Sequence, residues 1–189
     1  MEAGQLINSH QQCENLKQQI DFSISSVTER DIDLLLLEEF VATPAFSKWF
    51  NRQTADQDLS EEPVISAHRS VTTSSGESDL EIVMLSSDGR VHYLMIENKI
   101  SAGFQPRQAD RYRQRGEGYL RQGDCDGFFS ILVAPETYLG QDHDRKGFDH
   151  VLSYEAIMDW FSYAEGPLKR NAVKQKLLSA AIEKATLGY

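Results

Sequence analysis

Four charged side chains in one stretch, Asp79, Glu81, Glu97 and Lys99, have the types and the spacing for phosphoryl chemistry. They flank two apolar runs of strand composition, Leu80 to Leu85 and Val91 to Ile96, joined by a turn-forming Ser87-Asp88-Gly89. Side chains alternate along a strand, so Asp79 and Glu81 share one face of the first run, and Glu97 and Lys99 one face of the second. The pairing register decides whether the two sets meet. A two-residue Asp88-Gly89 turn would set Asp79 opposite Asn98 and send Glu97 to the far face. A three-residue loop, with Ser87 and Asp88 in a type I turn and Gly89 left-handed, sets Asp79 opposite Glu97 with Cβ atoms about 5 Å apart. The second register is the expected one. Carboxylates that close repel unless a cation lies between them, and hard oxygen donors on a rigid hairpin suit a divalent ion such as Mg²⁺, with Mn²⁺ able to substitute. Lys99 beside the ion would offer positive charge to an attacking water or a phosphoryl oxygen. Metal-assisted phosphodiester hydrolysis fits this set, whereas a lone E-x-K would read as a surface ion pair.

The wider pattern is Asp79, an apolar hairpin ending in Ile96-Glu97-Asn98-Lys99-Ile100, and Gln108-x-x-x-Tyr112 on a following helix. It resembles the PD-(D/E)xK nuclease superfamily, and within it the branch with an I-E-N-K-I strand end and a Q-x-x-x-Y helix, as in RecB-like nucleases. The likeness covers about Glu29 to Trp160 and departs at one point: Ser78, not proline, precedes Asp79. It implies a restriction-endonuclease-like α/β fold with core order α-β-β-β-α-β. It also implies a Mg²⁺-dependent nuclease acting on DNA, in defence against or processing of foreign DNA. Asp79 and Glu97 would bind the metal with the carbonyl of Asn98, Lys99 would assist the water, and Gln108 and Tyr112 would help hold the substrate. The competing reading is a catalytically weak nuclease-fold module that binds nucleic acid or a partner protein.

The elements that must position these groups follow from periodicity. Ser25 to Thr28 offers helix-capping chemistry, and Glu29 to Ala42 reads as a strong helix with Asp31 and Asp33 near its positive end. At 100° per residue Ile32, Leu35, Leu36, Glu39 and Phe40 share one side. Glu39 therefore sits in the apolar stripe and needs a partner, which a metal site or Lys99 would supply, unless the helix turns it half outward. Related nucleases often carry a further acid on a helix before the hairpin, which also points to Glu39. Phe46, Trp49 and Phe50 read as core, Gln53 to Pro63 as an exposed loop, and Val64 to Val71 as an edge strand. After the hairpin, Gln105-Pro106 begins a helix with proline at its first position. Arg107, Arg111 and Arg115 recur every four residues along one ridge of it, beside Gln108 and Tyr112. That ridge reads either as a set of phosphate contacts or as a solvated basic face. Gly127 to Ala134 has the continuous apolar pattern of a strand covered on both faces. A short strand at His150 to Ser153 and helices over Tyr154 to Tyr163 and Pro167 to Thr186 complete a mixed sheet flanked by helices. Lys169, Arg170, Lys174 and Lys176 give the last helix a second positive surface.

With 189 residues, 40% of them hydrophobic, the chain suits one compact domain over residues 29–189, preceded by a peripheral extension, residues 1–28, with a weak helix over Leu6 to Ile20. No apolar run reaches membrane-spanning length and no leader pattern is present, so the expectation is a cytoplasmic protein with no membrane partner. Cys13 and Cys125 lack metal or disulfide spacing. The net charge of −10 excludes a protein that coats nucleic acid by bulk electrostatics, which leaves local basic patches to meet DNA. Cutting both strands would call for a homodimer or a protein partner. Asp142-His143-Asp144 lies in a glycine- and charge-rich stretch without ligand spacing.

Overall fold

Thr28 starts the first helix by donating its backbone N–H to Asp31 Oδ2 at 2.8 Å, and helix α1 runs over Glu29–Ala42. Its Ile32, Leu35, Leu36 and Phe40 are buried, the stripe that the periodicity predicts. Pro44 pre-sets the first turn of helix α2, Pro44–Gln53, whose Phe46 and Phe50 pack edge-on to Phe40 at 5.2 and 4.9 Å between ring centroids. The aromatic cluster is core.

The computed structural model describes residues 21–73, 76–140, 147–165 and 167–188. The weak helix expected over Leu6 to Ile20 and the Asp142-His143-Asp144 stretch lie outside them. After α2 come strands β1 (Leu59–Thr73), β2 (Gly76–Ser86) and β3 (Val91–Asn98), helix α3 (Gln108–Gln122) and strand β4 (Gly127–Ala134). A short helix α4 (Glu136–Leu139), strand β5 (His150–Ser153) and helices α5 (Tyr154–Tyr163) and α6 (Leu168–Leu187) follow. The five strands form one mixed sheet in the order β1-β2-β3-β4-β5, antiparallel across β1, β2 and β3 and parallel across β3, β4 and β5. The chain is thus a single-domain α/β protein whose core order is α-β-β-β-α-β with α2 inserted after the first helix.

The sheet's two faces are covered differently. Leu80, Ile82 and Met84 of β2, Leu94 and Ile96 of β3 and Ile131 and Val133 of β4 pack with α1, α2, α5 and α6 into the main core. The opposite face of β2 and β3 meets α3, where Tyr119 lies 4.7 Å from Tyr93 between centroids and Tyr112 reaches Glu97. Asp79, Glu81 and Glu97 all face this side.

Two boundaries differ from the sequence expectation. Strand β1 begins at Leu59 rather than after Pro63, because Leu59 pairs with Ser86 and Asp58 accepts the Ser87 N–H at 2.8 Å. Register shifts on either side of Val64 let this edge strand absorb Pro63, which cannot donate to a ladder. Helix α3 starts at Gln108 and not at Pro106, because Arg107 is left-handed at φ 56°. Among the described residues no helix is long and apolar enough to cross a membrane.

Candidate active site

The β2–β3 hairpin closes through the three-residue loop. Gly89 donates to the Ser86 carbonyl at 3.0 Å, takes φ +84°, and leaves Leu85 paired with Val91. The register then runs to Leu80 opposite Ile96, so Asp79 and Glu97 are the next residues outward on the two strands. Beyond that pair the strands part. Asn98 directs its N–H not to a backbone carbonyl of β2 but to Asp79 Oδ2, at 2.8 Å. Lys99 stays on the β4 side of the ladder, donating its N–H to Val133 at 3.0 Å, and folds its ammonium back to Glu97 Oε1 at 2.7 Å.

Tyr112 lies across the opening. Its buried hydroxyl donates to Glu97 Oε2 at 2.6 Å and accepts the Asp79 N–H at 3.3 Å. Burial, with Glu97 and Asp79 close by, raises this phenol well above its usual value, so it serves as a neutral donor. The pair of residues on one helical face is therefore split in use: Tyr112 holds the acids, while Gln108 accepts the Gln105 N–H at 3.1 Å and fixes the loop entering α3.

Electrostatics in the pocket favour a cation. Burial and the neighbouring Glu97 push the Asp79 carboxyl up to about 7, against a relief from the Asn98 N–H. Burial likewise raises Asp33 to about 6, despite its bond from Asn98 Nδ2 at 2.8 Å. For Lys99 burial pulls the ammonium down, but Glu97, Glu29 and Asp79 outweigh it and hold its pKa above the usual lysine value. Lys99 is thus an ammonium paired with Glu97 in this geometry.

The helix acid that the structure brings to the hairpin end is Asp33, with Glu29 one turn earlier. Glu29 Oε1 accepts the Ile100 N–H at 2.9 Å, and Asn98 Nδ2 bridges the Glu29 carbonyl and Asp33. Tyr154 of α5 closes this group with a hydrogen bond to Asn98 Oδ1. Asn98 thus organises the pocket's rim through its side chain. The signal in the sequence was the i, i+4 spacing of Glu29 and Asp33 on the first turns of α1, where their side chains share a ridge.

Glu39 is elsewhere. Its carboxylate is buried against Arg170, at 2.8 Å, and Lys174 of α6, so the partner that the periodicity demanded is a helix-to-helix ion network and not Lys99 or the hairpin acids. That network also removes Arg170 and Lys174 from the expected free positive surface, since both pair with Glu38 as well. The Arg107, Arg111, Arg115 ridge is likewise not one basic face. Arg115 is buried, with Nη1 3.0 Å from Glu81 Oε1, whereas Arg107 is exposed at the helix cap beside Asp110. Arg111 turns to Gln105 Oε1, at 2.8 Å, and the Pro106 carbonyl.

Among the described residues no group of three or more His, Cys, Asp or Glu side chains is placed to hold a metal ion. Two carboxylates match the sparse protein contribution usual for Mg²⁺. Asp79 and Glu97 supply hard oxygen donors, Glu97 engaged by Lys99 and Tyr112 and Asp79 Oδ2 by the Asn98 N–H, and their chemistry fits such an ion.

The raised acids carry a pH signature. A carboxyl that binds its proton more tightly when folded contributes stability below its unfolded value, lost as pH rises through the folded value. Thermal melts in EDTA should therefore fall between pH 3.8 and about 7, and the fall should shrink in Asp79→Asn. Mg²⁺ should restore the loss at neutral pH, because the ion competes with the proton. A difference between wild type and Asp79→Asn that stays constant across that window would refute the assignment.

No protein-family model matches the chain, and no curated protein matches it. Among solved structures it is similar to the small subunit of the heterodimeric restriction endonuclease R.BspD6I. The two are 13% identical at a TM-score of 0.30, and the match spans 84% of this chain and 95% of that one. A likeness this slight carries no assignment of activity to this chain.

Proposed function

We propose that this protein is a divalent-metal-dependent nuclease that hydrolyses phosphodiester bonds in DNA. The observation that carries the reading is the meeting of Asp79 and Glu97 at the hairpin end, where the Tyr112 hydroxyl bonds to both, with the Lys99 ammonium 2.7 Å from Glu97 Oε1. Asp79 and Glu97, with the main-chain carbonyl of Asn98, would hold the ion. A bound Mg²⁺ or Mn²⁺ supplies Lewis-acid polarisation of a phosphoryl oxygen and a more acidic water.

The chain's own residues do the rest. Lys99, kept protonated by the surrounding carboxylates, faces charge that develops on the phosphoryl group. Tyr112 holds the Glu97 carboxylate in one orientation, and Asn98 fixes Asp33 at the rim. Arg107, exposed where the chain enters α3, and the half-buried Arg111 beside it are basic groups that a DNA backbone could meet, a local patch in a chain whose overall charge is −10. Cutting both strands would bring in a second copy or a partner subunit, and foreign DNA is the substrate that the family resemblance favours.

A second reading, a nucleic-acid-binding module of low turnover, draws on the engagement of both Glu97 oxygens by Lys99 and Tyr112. One experiment separates the two. Purified protein is incubated with linear, nicked and single-stranded DNA in Mg²⁺ or Mn²⁺, with EDTA controls. The nuclease reading expects cleavage that EDTA abolishes. Retarded mobility of intact DNA in every arm would instead establish the binding module.

A further inference from the structure

We propose that Arg115, Glu81 and Tyr119 form a positioning network that sets Asp79 in the pocket, a role that rests on the nuclease reading above. Asp79 lies close to the start of β2, three residues after Gly76, and a strand end is where a ladder opens most readily. Among the described residues its own side chain takes one hydrogen bond, from the Asn98 N–H. The residues around it are held from α3. Arg115 donates to the Gly76 carbonyl at 2.5 Å and to Thr73 Oγ1 at 3.1 Å, so one guanidinium grips both strands at the β1–β2 connection. Its third contact is Glu81 Oε1 at 3.0 Å, an oxygen that also accepts the Ser78 hydroxyl at 2.7 Å, while Tyr119 donates to Glu81 Oε2 at 2.9 Å. Residues on both sides of Asp79 are thereby fixed by a buried ion pair.

Stability alone does not account for this pair. Replacing a buried ion pair with apolar side chains of similar volume is often neutral or favourable. Geometry does account for it: Glu81 shares a face with Asp79 two residues earlier, so anchoring Glu81 fixes the direction in which Asp79 points. The close approach this requires is built into the helix. A Cβ on Gly116, next to Arg115, would lie 2.2 Å from the Phe128 ring, so only glycine lets α3 sit near enough for Arg115 and Tyr119 to reach β2.

The test reads the position of Asp79 with no metal or DNA present. The Asn98 amide depends on the Asp79 carboxylate for its hydrogen bond, so its exchange with solvent, measured by NMR, reports that placement. In the apolar pair Glu81→Leu/Arg115→Met, Asn98 should exchange about tenfold faster or more, relative to the Leu94 and Ile96 amides of the same strand. Tyr119→Phe, which removes one hydrogen bond at the periphery, should show the same effect in smaller degree. Should Asn98 keep its wild-type protection relative to Leu94 and Ile96 in both variants, the positioning role is wrong, whatever the protein does to DNA. Accelerated Asn98 exchange in these variants, together with a wild-type protein that cuts no DNA, would leave the network standing and remove the nuclease reading instead. In a cleaving enzyme the apolar pair should lower kcat about tenfold while the KM for DNA holds, since the network touches no substrate.

Discussion

Asp79→Asn should lower metal-dependent cleavage by about 10²-fold or more while leaving the protein at least as stable at neutral pH. The two effects oppose because the same feature causes both. Asn keeps the shape and an oxygen for the Asn98 N–H, now 2.8 Å from Asp79 Oδ2, but removes a buried charge whose carboxyl is pushed up to about 7 by burial and by Glu97. Without an ion, that charge is a cost to the fold. With one, it is a ligand. Cleavage rates in Mg²⁺ set beside thermal melts in EDTA check both arms, and Lys99→Ala serves as a second knockout. Cleavage retained by both variants would trace the activity to a contaminant and end the site assignment.

Lys174→Met should destabilise the protein by about 3–5 kcal/mol, because it leaves the Glu39 carboxylate buried without its ammonium. Glu39 is 1% exposed, and Arg170, its other partner at 2.8 Å, also serves Glu38. Urea denaturation gives the number. The paired replacement Glu39→Leu/Lys174→Met should recover most of the loss, since apolar side chains then fill the space between α1 and α6. The double variant also discriminates between sites. If it still cleaves DNA at the wild-type rate, Glu39 has no part in the chemistry; abolished cleavage in a well-folded double variant would return Glu39 to the active site and displace Asp33.

Much of the site was legible because it is local. The hairpin lies within one short stretch, and turn chemistry at Ser87-Asp88-Gly89 fixes a register that no distant contact has to enforce. The buried stripe of α1 and the doubly covered β4 follow from period alone. Period places a side chain on a face but does not supply its partner. Spacing put Glu39 on the buried side of its helix, and there it is; it did not say that α6 would deliver Lys174 to that point. The arginine ridge had the same defect. Its spacing was regular, yet Arg107 stands at a left-handed cap and Arg115 turns into the sheet, drawn by a glutamate on β2 that no local pattern links to it.

By itself, then, the order of residues determined the strands, the helix faces and the register of the β2–β3 hairpin, all set by backbone sterics and by burial over a few residues. Tertiary structure alone decided which charged groups share a pocket: Asp33 and Asn98 with the hairpin acids, Glu39 with Lys174, Glu81 with Arg115. The reason is physical. Apolar burial is set by side chain and period, whereas a buried charge takes whichever opposite charge or donor the packing of distant segments brings within hydrogen-bond reach.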